Sequence, residues 1–395
     1  MFALPETLTA GFHASEPRFG PVIQDTLPRA GFDRAEAEIT TWSGYHQTPL
    51  TDLPGYARSL GLGAIHYKDE GQRFGLGSFK ALGGAYAVLR VIQRTISGRE
   101  GRTVGVNEIL NGDYAQQISN MTMTSATDGN HGRSVAWGAQ RLGAKCRIYI
   151  HSGVSPFRAN ALRALGADVI RIDGDYDATV AQTRVDAEEH GWMIVSDTSW
   201  PGYTQPPVDV MAGYGVMARE ILRELAEPPT HVFLQGGVGG LAAAVIAVFH
   251  QEWGANAPRS IIVEPDLAPC LFASSKANAM TPVKIQEESL MAGLSCGEPS
   301  QLAWAILSQT VHGFMTIPEH LVAPTVRLLS QGCNGDPGIE AGESAVAGLI
   351  GLSCGALDRH LRNALRLDTQ SRVLVIGSEG ITDPEVFSAI MSGEI

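Results

Sequence analysis

One lysine lies in a glycine-rich, otherwise apolar segment, Gly75–Gly84, just before a predicted helix from about Ala81 to Gln93. Burial in such a segment disfavours the charged form of an amine, so we expect the pKa of Lys80 to be lowered and the amine to be nucleophilic. A nucleophilic amine is suited to forming a Schiff base with a carbonyl compound. Taken alone, the segment also permits an exposed lysine at a helix start.

A second segment, Gln235–Gly240, lies between a predicted strand, His231–Gln235, and a predicted apolar helix, Leu241–His250. Consecutive glycines allow backbone N–H groups to converge on an anion, and the positive end of the helix dipole favours negative charge. The segment therefore predicts a phosphate site. The residues expected to surround the phosphate are Gly236, Gly237, Val238, Gly239 and Gly240.

The same glycines permit a dinucleotide-binding turn. Gly237, Gly239 and Ala242 match the G-x-G-x-x-A spacing. Glu264 ends the next predicted strand, Ser260–Glu264, where a ribose-binding carboxylate would lie. A purely structural glycine-rich turn is the third interpretation.

Two further loops follow predicted strands. The loop Ser125–Gly132 follows the strand Met121–Ala126 and precedes the helix His131–Leu142, so its amides and hydroxyls are placed to face an anion. A helix cap is the alternative interpretation of this loop. Near the end of the chain, Ser378 follows the predicted strand Arg372–Ile376 and places a small hydroxyl at its exit, which a routine strand-to-turn exit would also explain.

Strands and helices alternate from residue 121 onward, which indicates β-α-β units with mostly parallel, buried sheets. The remaining predicted strands are Cys146–His151, Asp168–Ile172 and Trp192–Ser196, and the remaining predicted helices are Ser155–Leu165, Ala178–His190 and Asp209–Leu225. The chain is long for one such sheet, so we predict an α/β fold of two units with a cleft between them. Ligands of such folds bind beyond the carboxyl ends of the strands.

The composition excludes several classes of function. Among the 395 residues, 41 Asp and Glu outweigh 29 Lys and Arg and no basic run occurs, which argues against a nucleic-acid partner. The longest apolar stretch, Leu241–Phe249, is too short to cross a membrane, and we see no signal peptide. The sparse cysteines have no metal-binding spacing, so we expect no metal and a reducing cytoplasm.

In order and spacing, the four segments resemble the fold-type II family of pyridoxal-phosphate enzymes, the tryptophan synthase β and threonine dehydratase group, over roughly residues 45–383. The resemblance implies that Lys80 binds pyridoxal 5′-phosphate and that Phe79 packs beneath this cofactor. It implies that the glycine loop holds the cofactor phosphate. It also implies that Ser378, or an immediate neighbour, meets the pyridine nitrogen.

The loop that follows residue 126 is the substrate-carboxylate loop of this family. The resemblance implies that Asn130 also contacts the 3′ oxygen of the cofactor. His131 has a structural interpretation as well, because it comes directly after the loop. The residues expected to bind the substrate are Thr127, Asp128, Gly129, Asn130 and His131.

Two aspartates are candidate catalytic residues. Relatives that act on serine or threonine usually have Ser or Ala at position 128, and a carboxylate there would repel the substrate carboxylate. Asp128 is explained if the substrate brings a second ammonium group, as 2,3-diaminopropionate does. Asp197 follows a predicted strand and matches a second active-site aspartate of the family, although a turn cap would also explain it. Either aspartate could serve as a base on the face opposite Lys80.

The resemblance implies an activity and an organisation. The activity is α,β-elimination of D- and L-2,3-diaminopropionate, through a Schiff base on Lys80 and an aminoacrylate intermediate, to pyruvate and ammonia. The partners are a small amino-acid substrate and a second copy of the chain, as a cytoplasmic homodimer. We predict a large cofactor-binding domain from residues 1–88 and 201–395, and a smaller domain, 89–200, that carries the substrate-carboxylate loop.

Three competing functions remain open from the residues. A serine/threonine dehydratase would share the fold and cofactor but would leave Asp128 without a purpose. A nucleotide-dependent dehydrogenase would use the glycine loop with Glu264 and would leave Lys80 unexplained. A metabolite-binding regulator on the same scaffold would need none of the catalytic residues.

Overall fold

The computed structural model of the protein describes residues 10–127, 129–174 and 176–395, without the side chains of residues 176 and 177. The strands are β1 (Gly11–Ala14), β2 (Leu50–Asp52), β3 (Ala64–Asp69), β4 (Thr122–Ala126), β5 (Lys145–His151), β6 (Asp168–Ile172), β7 (Met193–Ile194), β8 (His231–Gln235), β9 (Arg259–Pro265), β10 (Gly313–Ile317) and β11 (Arg372–Gly377). The helices before β8 are α1 (Val22–Thr26), α2 (Arg29–Ile39), α3 (Pro54–Leu60), α4 (Lys80–Glu100), α5 (Val106–Leu110), α6 (Ala115–Ile118), α7 (Asn130–Leu142), α8 (Pro156–Ala164), α9 (Tyr176–His190) and α10 (Gln205–Glu224). The helices after β8 are α11 (Gly240–Trp253), α12 (Cys270–Ala277), α13 (Gln301–Thr310), α14 (Val322–Gln331), α15 (Ala347–Leu357), α16 (Arg359–Leu365) and α17 (Pro384–Ser392).

The strands of the described chain form two sheets. The larger has the order β1-β10-β9-β8-β11-β3-β2, with parallel strands in its centre and the antiparallel strands β1 and β2 at its edges. The smaller is parallel, with the order β6-β5-β4-β7. The chain therefore begins in the larger sheet, builds the smaller one and then returns, and the prediction of an α/β fold with mostly parallel sheets is confirmed.

Most predicted elements occur close to their predicted bounds, but two differences matter. The predicted strand Trp192–Ser196 pairs in register only at Met193 and Ile194. The Val195 amide makes one more hydrogen bond, to the Thr124 carbonyl of β4 at 2.8 Å, before the loop that carries Asp197. Strand β3 was not predicted, because its sequence Ala-Ile-His-Tyr-Lys-Asp lacks the apolar run of a buried strand. It nevertheless pairs with β11 in the interior of the larger sheet.

Helix α4 connects the two sheets. It continues past the predicted end to Glu100 and stops at Gly101, which takes a left-handed conformation. Small residues allow its neighbours to approach: a Cβ on Gly84 would lie 2.6 Å from the Ser134 hydroxyl of α7, and one on Gly213 of α10 would lie 2.4 Å from the Leu82 carbonyl. The predicted domain boundary after residue 88 falls inside this helix, and the division of the chain into 1–88 with 201–395 and 89–200 stays a prediction.

A buried ionic cluster fixes the loop between β3 and α4. Lys68 Nζ lies 2.8 Å from Glu220 Oε2 and donates a hydrogen bond to the Thr48 carbonyl. Arg73 pairs with Glu220 and Glu70, each at 2.7 Å, and all four charged side chains are at most 1% exposed. Two cations thus face two carboxylates away from water, and the backbone that leads to Lys80 is held against α10.

Among the described residues, none of the helices combines the length and the apolar character that crossing a bilayer requires.

Replacing Glu220 by Ala should lower the free energy of unfolding by about 3–5 kcal/mol, because two buried cations lose their shared partner. Urea denaturation followed by circular dichroism measures the change. Glu224→Ala is the matched control, since Glu224 lies 3.5 Å from Lys68 but is 31% exposed, and its loss should cost less than about 1 kcal/mol. Equal losses in the two variants would contradict the importance of the buried cluster.

Candidate active site

Lys80 and Asp197 form an ion pair at the start of α4. Their side chains are 20% and 15% exposed, so the pair is largely removed from water but still reachable. Burial lowers the pKa of Lys80, but the Asp197 carboxylate outweighs burial and the pKa is raised well above its ordinary value. The prediction of a lowered pKa is therefore wrong for this structure, because the partner carboxylate lies 117 residues away along the chain.

The segment before Lys80 is tied to the end of β11. The Phe79 amide donates to the Ser378 carbonyl at 3.1 Å, and the Gly380 amide donates to the Gly77 carbonyl at 3.0 Å. Ser378 is 4% exposed. The segment that carries Lys80 and the residue Ser378, both predicted to bind the cofactor, therefore lie side by side. A contact of Ser378 with a pyridine nitrogen stays a prediction.

Asp197 is held by the loop that follows β7. Burial raises the pKa of Asp197, but the Lys80 ammonium outweighs burial, and the pKa lies well below its ordinary value. His131 Nδ1 lies 3.8 Å from Asp197 Oδ2, and the other ring nitrogen bonds to the Val195 carbonyl at 2.9 Å. Burial lowers the pKa of His131, which favours its neutral form beside this pair.

Ser199 and Ser300 connect the Asp197 loop to the glycine loop. The two hydroxyl oxygens lie 2.8 Å apart, and the Ser199 amide donates to the Ser300 hydroxyl at 3.0 Å. The Ser300 amide in turn donates to the Val238 carbonyl at 2.9 Å. The predicted phosphate loop and Asp197 therefore share one hydrogen-bonded support.

The glycine loop is shaped to receive an anion. Gly237 and Gly239 have φ values of 57° and 96°, in the left-handed region that glycine adopts without strain. A Cβ on Gly239 would also lie 2.9 Å from Leu307 Cδ1. The first intrahelical bond of α11 runs from the Ala243 amide to the Gly239 carbonyl, so the amides of Gly240 and the next two residues have no partner within the helix and are placed to face an anion.

Glu264 lies beside this loop but is not available to a ribose. Its carboxylate is fully buried and accepts hydrogen bonds from the amides of Leu271 and Phe272, at 2.9 and 2.7 Å, at the start of α12. Burial raises its pKa to about 8. The interpretation of the glycine loop as a dinucleotide turn with Glu264 as the ribose ligand is therefore wrong.

The predicted substrate loop lies at the start of α7. The Thr127 hydroxyl accepts hydrogen bonds from the amides of Gly129 and Gly132, at 3.2 and 3.3 Å. Asn130 Nδ2 donates to the Glu379 carboxylate, directly after Ser378. The loop therefore meets the end of β11 at the residue that follows Ser378. Asp128 lies outside the described residues.

A cavity with charged walls opens between the start of α7, the end of β11 and the segments around Gly293 and Glu343. Glu343 is 3% exposed, and burial, followed by the nearby Glu379 carboxylate, raises its pKa to about 7. The other Glu379 oxygen accepts a hydrogen bond from the Ser344 amide at 3.0 Å. The lining residues are Gly129, Asn130, Arg133, Arg158, Ala161, Ala292, Gly293, Glu343, Ser344, Glu379 and Thr382.

Ser300, Glu379 and Tyr214 are among the residues at the site that were not predicted. The ring of Tyr214 packs edge-on against Phe79, with 4.7 Å between centroids. Only Glu379 carried a local signal, since it directly follows Ser378. Ser300 and Tyr214 reach the site through packing between distant segments. Among the described residues, no group of three or more His, Cys, Asp or Glu side chains is arranged to hold a metal ion.

These features agree with the comparisons to known proteins. Residues 41–379 match the family described as pyridoxal-phosphate dependent enzyme. The chain belongs to this family, so the predicted family and cofactor are confirmed.

Individual relatives are more specific. The chain is 38% identical over 357 residues to a diaminopropionate ammonia-lyase of Escherichia coli (strain K12), covering 88% of each chain. A crystal structure of that E. coli enzyme in complex with an aminoacrylate–PLP azomethine reaction intermediate has a TM-score of 0.88 and 34% identity, covering 98% of each chain. A probable D-serine dehydratase of Vibrio cholerae is more distant, with 26% identity over 290 residues, 70% of this chain and 63% of that protein.

The described residues fit pyridoxal phosphate. The glycine loop offers backbone amides at a helix start for the phosphate group. Lys80 supplies a reachable amine, and Phe79, 7% exposed, lies next to it. Lys80 would bind the carbonyl carbon of the cofactor, and the residues from Gly236 to Gly240 would bind the cofactor phosphate.

Replacing Glu343 by Gln should change how stability depends on pH. The folded protein keeps a proton on Glu343 up to about pH 7, whereas an unfolded glutamate loses it near 4.5, so this group lowers stability as pH rises through that window. The contribution of Glu343 to the free energy of unfolding changes by at most about 3 kcal/mol across this pH window. Urea denaturation should show the variant gaining stability relative to the parent as pH rises from 4.5 to 7.

Glu340→Gln is the matched control, because Glu340 is exposed three residues earlier in the same loop. It should follow the parent protein at each pH. A stability difference between Glu343→Gln and the parent that stays constant across the window would contradict the raised pKa.

Proposed function

We propose that this protein catalyses the pyridoxal-phosphate-dependent elimination of ammonia from D- and L-2,3-diaminopropionate, followed by hydrolysis to pyruvate and a second ammonia. The observation that carries the proposal is the Lys80–Asp197 ion pair, placed beside the glycine loop and the end of β11. An amine for the cofactor, a carboxylate for proton transfer and an anion cradle are thus supported by one set of contacts.

When bound, pyridoxal phosphate supplies an electron sink that makes the Cα–H bond of an amino acid acidic. The chain contributes proton transfer and orientation. The Asp197 carboxylate stabilises the protonated form of the Lys80 amine within a largely buried ion pair. The positive charge of Lys80 is what lowers the pKa of Asp197. Once Lys80 loses that charge, burial raises the pKa of Asp197, and Asp197 becomes a better base. Lys80 is the partner base, and it returns a proton to the departing amine.

The substrate loop recognises the amino acid. Thr127, Gly129 and Asn130 surround the substrate carboxylate, and His131 supports the loop from its buried position. Asp128 pairs with the second ammonium group of diaminopropionate or takes the Cα proton of one isomer. In the first of these roles, Asp128 favours a substrate with two amines over one with a hydroxyl group.

Ser378 would offer the pyridine nitrogen a neutral hydroxyl, which would leave that nitrogen unprotonated and favour rapid elimination over transamination. The working form is a cytoplasmic homodimer, the assembly implied by the family. The substrate-carboxylate loop belongs to a smaller domain, residues 89–200, that faces the cofactor-binding domain across the cleft.

The cofactor-loaded protein should release pyruvate from D- and L-2,3-diaminopropionate, with two ammonia per pyruvate. A lactate dehydrogenase-coupled assay and an ammonia assay measure the products. The kcat/KM values should exceed those for D-serine, L-serine and L-threonine by at least about 100-fold, because a site built for a second ammonium loses that pairing with a hydroxyl. Turnover of the hydroxy amino acids alone would identify the chain as a serine/threonine dehydratase.

The variant Asp128→Ser distinguishes a diaminopropionate lyase from a serine/threonine dehydratase within the same assay. If Asp128 recognises or deprotonates the diamino acid, its loss should reduce diaminopropionate turnover by about 100-fold. Asp113→Asn, an exposed position, is the control and should leave turnover unchanged. Unchanged diaminopropionate turnover in Asp128→Ser would favour the dehydratase.

A further inference from the structure

Tyr214 of α10 is confined beside Lys80. The ring is 1% exposed and packs edge-on against Phe79. A Cβ on Gly83 of α4 would lie 2.4 Å from Tyr214 Cε1, and one on Gly240 of the glycine loop would lie 3.9 Å from Tyr214 Cε2. The ring therefore fills the space between the helix that begins at Lys80 and the loop predicted to hold phosphate, and it has little room to move.

The hydroxyl of this ring lies near the Lys80–Asp197 ion pair. Within the described part of the chain, the buried oxygen has no hydrogen-bond partner. Lys80 Nζ lies 6.0 Å from the ring centroid. Burial raises the pKa of the Tyr214 phenol, and the nearby Lys80 ammonium opposes that rise. A buried hydroxyl without a hydrogen-bond partner lowers the stability of the folded protein, so its presence beside Lys80 needs an explanation.

We propose that Tyr214 is a positioning residue for Lys80, with its hydroxyl as the second partner of the Lys80 amine opposite Asp197. The proposal deepens the proposed function and rests on it. An ionised aspartate only accepts hydrogen bonds, so its attraction for Lys80 weakens when the amine loses its charge. A phenol hydroxyl both donates and accepts, so it holds the amine in either protonation state. Tyr214 thus keeps Nζ in place during the steps in which Lys80 exchanges its proton.

The charged and titratable groups around the amine set the expected pH effect. Lys80 faces Asp197, Tyr214 and the Cys296 thiol. His131 Nδ1 lies 3.8 Å from the same Asp197 oxygen that Lys80 contacts. Asp197 raises the pKa of Lys80 against the effect of burial. A neutral phenol hydroxyl that accepts a hydrogen bond from the ammonium acts in the same direction. Removing the hydroxyl alone should therefore lower the pKa of Lys80, while Asp197 remains in place.

The test is Tyr214→Phe, which keeps the ring and removes the hydroxyl. The cofactor-loaded variant should lose about tenfold in kcat on diaminopropionate, with KM changed by less than about twofold. The acidic limb of its kcat–pH profile should move to lower pH. In the cofactor-free full-length chain, competitive labelling with acetic anhydride and mass spectrometry should show the pKa of Lys80 lowered by about one unit.

Tyr56→Phe is the matched control. The Tyr56 hydroxyl is also buried and lies 2.6 Å from the Ser353 hydroxyl, in the core on the other side of the larger sheet. Its loss should lower the melting temperature but leave the kcat–pH profile and the pKa of Lys80 unchanged. A general effect of losing a buried hydroxyl would appear in both variants.

An unchanged pKa of Lys80 and an unchanged acidic limb in Tyr214→Phe would overturn the proposal, whatever happens to kcat. Equal pH shifts in Tyr56→Phe would also overturn it. The labelling experiment needs no substrate. If the parent protein fails to convert diaminopropionate, the proposed function falls, while the role of Tyr214 toward Lys80 is still decided by the labelling.

Discussion

The ion pair between Lys80 and Asp197 is the constraint on which the rest of the site depends. Lys80 begins the helix that follows the larger sheet, and Asp197 follows the last strand of the smaller one. Two opposite charges that are largely removed from water stabilise each other only if both are held in place, and losing one partner leaves the other charge buried and uncompensated. The relative placement of the two sheets is therefore part of the chemistry of this site.

Several independent contacts maintain that placement. Behind Lys80, the cluster of Lys68, Arg73 and Glu220 fixes the approach to α4. Behind Asp197, the Ser199–Ser300 contact joins its loop to the glycine loop. These supports lie on strands, helix starts and short loops rather than on exposed segments. A site with this support presents an amine, a carboxylate and an anion cradle in fixed relative positions, which is what catalysis by orientation requires.

The sequence was sufficient for the features that depend on local pattern. The alternation from residue 121 onward predicted the parallel sheets, and glycine spacing predicted the loop before α11. Features that depend on distant partners were not predictable in the same way. The pKa of Lys80 moves opposite to expectation because of Asp197. Glu264 is unavailable to a ligand of the glycine loop because its carboxylate binds the amides of α12. Tyr214 carries no motif, and only three-dimensional packing places it beside Lys80.

Borohydride reduction of the cofactor-loaded protein, followed by peptide mass mapping, tests most directly whether this arrangement serves Lys80. Reduction makes an amine–cofactor bond permanent, so the labelled lysine can be identified. Lys68 is an internal control, because it is also buried but is held within an ionic cluster. A single phosphopyridoxyl label on Lys80 is the expected result. A label on Lys68 or another lysine, with Lys80 unmodified, would contradict the assignment of Lys80 as the residue that binds the cofactor.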